Sequence, residues 1–176
     1  MDKLILVDEK DSVIGTEEKE RCHDGDGILH RAFSVFIFND KGKLLVQQRS
    51  GLKRLWPLFW SNSCCSHPRQ DEDCKKAAER RVMEELGISS ELKLLYKFQY
   101  KAKYKDKGSE NELCAVLIGR SGHPVVLDKE EVADYKWIKM SELVEEIEQH
   151  PDMFSPWFKL EIKELLSGYK ERIDSL

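Results

Sequence analysis

Along the chain, short unbroken apolar runs are separated by long polar stretches, and the runs mark out a sheet. The densest is Ala32–Phe38, AFSVFIF, β-branched and aromatic with Ser34 as its one polar member. A run with no alternation reads as a strand covered on both faces. Asn39-Asp40-Lys41-Gly42 follows as a turn, and Lys43–Arg49 is predicted to return as its hairpin partner. Leu4–Val7, Leu92–Tyr104, Glu112–Ile118 and Asp134–Ile138 are further strand candidates.

A different period appears from Asp71 to Leu86. Ala78, Val82 and Leu86 recur every fourth residue, and Gly87 stands where a left-handed C-terminal cap is expected. Ser141–Gln149 and Pro156–Leu166 read as closing helices, with Ser141 and Ser155 as candidate N-caps and Pro156 at a first helical position. Strands interleaved with helices predict a mixed sheet with helices packed on it, α/β to α+β, in one domain spanning residues 1–176.

Composition narrows the function classes. Apolar residues at 40%, charged residues at 35% and a formal charge of −4 describe a globular chain and argue against a general nucleic-acid binder. No run approaches the roughly 20 apolar residues of a membrane helix, and the N-terminus shows no secretory leader. Five cysteines, two of them adjacent at Cys64 and Cys65, do not form a small-domain disulfide pattern and suit a reducing compartment. A cytoplasmic protein, monomer or weak homodimer, is expected.

Candidate chemistry concentrates between Cys65 and Ile88. Cys65-Ser66-His67 puts a thiol and an imidazole on one face if extended. Downstream, the helix carries Glu72, Arg80, Arg81, Glu84 and Glu85, a pattern similar to the Nudix hydrolase signature with Ser66 at its first Gly and Arg81 at an essential Glu. Carboxylates one turn apart can share magnesium on a diphosphate, whereas arginine there suits direct phosphate contact. Alternatively, Arg80–Glu84 and Arg81–Glu85 are ordinary i,i+4 ion pairs. His23 and His30 precede the densest strand, and Glu110 and Glu112 share one face of theirs. Imidazoles with carboxylates suit a divalent metal, with Mn²⁺, Mg²⁺ and Zn²⁺ all compatible.

Four segments together carry a more specific likeness. His23–Phe38, Trp56–Pro68, Glu110-Asn111-Glu112 and Phe154-Ser155-Pro156-Trp157 resemble the type 1 isopentenyl-diphosphate Δ-isomerases, in the same order and across nearly the whole chain. The resemblance implies a Nudix-like fold and interconversion of isopentenyl and dimethylallyl diphosphate. It implies a divalent metal held by His23, His30, His67, Glu110 and Glu112, and a magnesium that bridges the diphosphate to Glu85. Cys65 and Glu112, assisted by Tyr100, match the catalytic positions. Lys19, Arg49, Lys53 and Arg81 match the diphosphate-binding positions, and Trp157 the aromatic over the isoprenoid. The implied partner is a small isoprenoid diphosphate, with no nucleic acid or membrane. The competing expectation is a Nudix hydrolase acting on a nucleoside diphosphate derivative.

Overall fold

The computed structural model describes residues 3–176, apart from the side chain of Asp174. Its strands are β1 (Lys3–Val7), β2 (Val13–Glu18), β3 (His30–Phe38), β4 (Leu44–Arg49), β5 (Trp60–Ser61), β6 (Cys64–Ser66), β7 (Leu92–Tyr104), β8 (Gly108–Arg120) and β9 (Val132–Ile138). Its helices are α1 (Lys19–Cys22), α2 (Cys74–Leu86), α3 (Met140–Gln149), α4 (Pro156–Gly168) and α5 (Lys170–Asp174).

β3 is the centre of the fold, as its unbroken apolar run requires. It pairs in parallel with β8 over nine residues from His30↔Glu112 to Phe38↔Arg120, and antiparallel with β6. Its alternate side chains divide between two cores. Phe33, Val35 and Ile37 join Ala77, Ala78, Val82 and Leu86 of α2, while Ala32, Phe36 and Phe38 join Leu143 of α3 and Trp157, Phe158, Ile162 and Leu165 of α4. β8 divides likewise, with Ala115 and Leu117 on the α2 side and Cys114, Val116 and Ile118 on the α4 side. Both faces are covered by helices, and the period of two decides which helix each residue meets.

The hairpin expected from Lys43–Arg49 closes at a single register pair, Phe38↔Leu44. β4 then leaves β3 and runs along β9, from Leu44↔Ile138 to Arg49↔Val132. The sheet therefore branches where β4 leaves β3. The α2 helix begins at Cys74 rather than Asp71 because Asp73 caps it, accepting from the Lys76 amide, and Gly87 ends it at φ 65° as the pattern predicts. Ser141 is not a cap but lies inside α3. Ser155 holds the N-cap position of α4, yet its hydroxyl lies 2.9 Å from Ser61 Oγ instead of capping the helix. That contact, with the Ser155 amide donating to the Trp60 carbonyl, ties α4 to β5 and sets where Trp157 falls.

Candidate active site

Strand register assembles the centre of the site. His30, Glu112 and Tyr100 are direct partners across β3, β8 and β7, so one row of the sheet presents an imidazole, a carboxylate and a phenol side by side. Cys65 pairs with Ser34, whose parity matches that of His30, and so its thiol faces the α4 side with them. Cys64, one residue earlier, points the other way and is fully buried in the α2 core, as a structural thiol should be.

Three imidazoles and a carboxylate converge here. One ligand atom from each of His23, His30, His67 and Glu112 lies within 4.8 Å of all the others. His67 Nε2 is 3.0 Å from Glu112 Oε1 and 3.2 Å from His30 Nε2. The opposite ring nitrogens of two of them are already committed: His23 Nδ1 lies 2.6 Å from the Lys19 carbonyl and His30 Nδ1 2.7 Å from the Ile28 carbonyl. Those acceptors place the proton on Nδ1 and leave a lone pair on Nε2, the usual preparation of a histidine for a metal. Glu110 Oε2 sits 2.9 Å from His23 Nε2 but is buried with no directed hydrogen bond. A buried carboxylate oxygen without a donor is costly, and a divalent ion would satisfy it. The donor set fits such an ion. Burial pushes the His67 pKa down to about 3, so its imidazole is neutral at ordinary pH. Glu112 is held well below the usual carboxylate range, the imidazoles of His30 and His67 outweighing its burial. Against burial, the carboxylate of Glu110 beside it raises the pKa of His23.

Beside this cluster lies a cleft of ≈ 330 Å³. Cys65, Tyr100, Glu112 and Trp157 line it together with the cations Lys19, Arg49, Lys53 and Arg81. Arg49 is 9% exposed and has no carboxylate partner among the described residues. It donates to the Trp56 carbonyl at 3.0 Å and the Leu55 carbonyl at 2.9 Å, lies 5.2 Å over the Trp157 ring, and reaches Cys65 Sγ at 3.5 Å. The loop that cradles it holds two non-glycine residues in left-handed backbone, Trp56 at φ 47° and Leu58 at φ 63°, a strain that collects at functional sites. A nearly buried guanidinium without a counter-charge is a strong anion site. Burial pushes the Cys65 thiol up to about 12, so it carries its proton through the neutral range. Tyr100 donates to Glu112 Oε2 at 2.5 Å.

Arg81 is more encumbered than its position suggested. It bonds Glu84 at 2.8 Å, Glu85 at 2.6 Å and Glu131 at 2.9 Å, while its buried Nε has no acceptor. The ordinary ion-pair reading is therefore real, since Arg80–Glu84 closes at 3.1 Å and Arg81–Glu85 at 2.6 Å. Glu85 stands apart from the imidazole cluster, bonded to Arg81 and to Gln47 at 3.2 Å. Glu131, which also ion-pairs Lys53, escaped sequence reasoning because a surface acid brought in by β9 has no local signature.

Residues 28–158 match the NUDIX domain family model. The chain is 43% identical over 175 residues to "Isopentenyl-diphosphate Delta-isomerase 1" of Photorhabdus laumondii, covering 98% of this chain and 99% of that protein. The chain belongs to the isopentenyl-diphosphate Delta-isomerase family. A plant member, "Isopentenyl-diphosphate Delta-isomerase I" of Clarkia breweri, is 37% identical over 98% of this chain and 69% of its own length. Among solved structures, DR0079 of Deinococcus radiodurans superposes with TM-score 0.69 at 20% identity, covering 84% of this chain and 90% of that one. A MutT protein from Methanosarcina mazei superposes with TM-score 0.63 at 20% identity, over 84% of this chain and 94% of that one. Those two likenesses bear on the fold alone; the family model over residues 28–158 is what gives the isomerase its Nudix scaffold.

Proposed function

We propose that this isomerase interconverts isopentenyl and dimethylallyl diphosphate by moving one proton onto the terminal carbon and another off the allylic carbon. One arrangement carries the reading: a protonated thiol and a phenol-linked carboxylate line the same small cleft, with an unneutralised guanidinium at its rim. The diphosphate lies against Arg49, Lys19, Lys53 and Arg81, and the five-carbon chain lies along Trp157. Glu85, held by Arg81 and Gln47, would be the carboxylate that holds a magnesium ion accompanying the diphosphate.

The alkene is a very weak base, so protonation needs a nearby acid and a place for positive charge. Cys65 carries the proton and Glu112 is the opposing base, or the reverse in the other direction. For isopentenyl diphosphate, C4 gains a proton as the C3–C4 double bond opens, and C2 loses one as the C2–C3 double bond forms. Tyr100, hydrogen-bonded to Glu112, passes the proton between carboxylate and substrate. The Trp157 indole face stabilises the positive charge that develops at C3, by about 1–2 kcal/mol at a desolvated site. His23, His30, His67 and Glu112, with Glu110 beside His23, would hold a divalent metal; Mn²⁺, Mg²⁺ and Zn²⁺ all suit these donors, and the ion would supply positive charge next to the Glu112–Tyr100 pair. Water is kept out by Trp157 and Leu55, both buried in the cleft wall, which prevents capture of the cation as an alcohol.

Incubation with isopentenyl diphosphate and divalent metal in D₂O, followed by NMR, tests this reading. Deuterium entering the new methyl group as dimethylallyl diphosphate appears is the expected result. Release of phosphate with no isomer would establish the hydrolase reading instead.

A further inference from the structure

Arg54 lines the same cleft as the diphosphate-binding cations, but its hydrogen bonds lead elsewhere. Nη1 donates to the Glu20 carbonyl at 3.2 Å, and Nη2 to Asp24 Oδ1 at 2.5 Å and to the Lys107 carbonyl at 2.8 Å. One side chain thus joins three segments that are remote in sequence. The first, residues 19–27, carries Lys19 and His23. The second, residues 49–58, carries Arg49 and Lys53. The third is the turn from β7 into β8, which leads directly to Glu110 and Glu112.

The join is reinforced from the β8 side. The Ser109 amide donates to the His23 carbonyl at 3.0 Å, Ser109 Oγ to the Gly25 carbonyl at 2.7 Å, and Asn111 Nδ2 to the Gly27 carbonyl at 3.2 Å. Gly108 at φ 144° makes this approach possible, since a Cβ there would run into the His23 carbonyl oxygen and lie 3.4 Å from Arg54 Nη2. His23 is the one imidazole of the cluster carried by neither the central strand nor β6 and its immediate end. Its position rests on this docking.

We infer that Arg54 is a positioning residue, a strap that holds the His23 segment against the β7–β8 turn and so sets the affinity of the metal cluster rather than gripping substrate. Lys53, adjacent in sequence, faces Glu131 instead, and so the two neighbouring cations have separate tasks. The inference rests on the metal-centre reading above, and its test separates the two. Groups that orient metal ligands from outside the coordination sphere typically set affinity by about 10–100-fold.

Metal-free wild type, Arg54→Met, Arg54→Lys and Gly108→Ala are titrated with Mn²⁺ by calorimetry, and amide hydrogen exchange at Ser109 is measured without metal. Arg54→Met should bind Mn²⁺ about 10–100-fold more weakly, exchange the Ser109 amide faster, and keep its KM for isopentenyl diphosphate once Mn²⁺ is saturating. Arg54→Lys should recover part of the Mn²⁺ affinity. Gly108→Ala should reproduce the loss from the opposite side. Unchanged Mn²⁺ affinity overturns the strap, and a raised KM at saturating Mn²⁺ with unchanged affinity would make Arg54 a diphosphate ligand. If Arg54→Met fails to fold, Arg54→Lys and Gly108→Ala decide, and wild-type affinity in both overturns the proposal. If wild type binds no Mn²⁺, the metal reading falls, and the strap then stands or falls on Ser109 exchange alone.

Discussion

Arg49 Nη1 lies 3.5 Å from Cys65 Sγ, joining the cationic rim of the cleft to the thiol at its base. The contact matters because burial, not this cation, dominates the thiol. Cys65 stays protonated beside a guanidinium that would otherwise draw out a thiolate. An acid poised next to an anion-binding group is what protonation of a diphosphate-bearing alkene requires.

Alkylation checks that protonation state. Cys65 in the substrate-free enzyme should react with iodoacetamide at pH 8 far more slowly than an unstructured cysteine of pKa about 8.5. Its rate should climb only as pH nears about 12. Peptide mass spectrometry distinguishes Cys65 from the other four cysteines, and rapid labelling at pH 8 would mean a thiolate.

Arg49→Met should lower kcat/KM by about 10-fold to 100-fold, since a hydrogen bond to a charged group is worth roughly 1.5–3 kcal/mol. Stability should fall as well, because the Trp56 and Leu55 carbonyls lose their donor. Steady-state kinetics with a thermal melt separates the two effects.

Tyr100→Phe removes the hydroxyl that donates to Glu112 Oε2 and little else. We expect kcat to fall by about 100-fold or more, within the usual range for a proton-transferring group, with Mn²⁺ affinity nearly kept. Glu112→Gln should lose both turnover and metal binding. A Tyr100→Phe enzyme with wild-type kcat would remove Tyr100 from the proton path.

Acid stability of the metal-free protein carries the mark of His67. Its folded pKa of about 3 lies below an unfolded value of about 6.5, so the unfolded chain binds the extra proton between them. The stability tied to its neutral form is complete above pH about 6.5 and is lost as pH falls toward about 3. His23 runs the other way, because its raised pKa adds stability at low pH that is lost as pH rises through the folded value. In His67→Asn, urea midpoints between pH 4 and 7 should lose part of the wild-type slope.

Much of this site was legible from local patterns. An apolar run without polar breaks has no stable place but the middle of a covered sheet, and β3 lies there. Strand parity likewise put Glu110 and Glu112 on one face, and the four-residue apolar period with Gly87 at its end marked α2. The motifs around His23, Cys65, Glu112 and Trp157 identified the family, because each carries its chemistry within a few residues. The elements that local pattern missed, β2, α1, β5, β6 and α5, are short and draw their stability from neighbours rather than from their own periodicity.

Tertiary structure alone decided the relationships across segments. It turned the predicted hairpin into a branch by pairing β4 with β9 from Leu44 to Arg49 and with β3 only at Phe38↔Leu44. It gave Arg81 three carboxylates and left Arg49 with none among the described residues. It also separated the tasks of Lys53 and Arg54, adjacent cations that composition cannot tell apart. Charge type and strand parity are properties of the chain, whereas which charge meets which is settled by long-range packing.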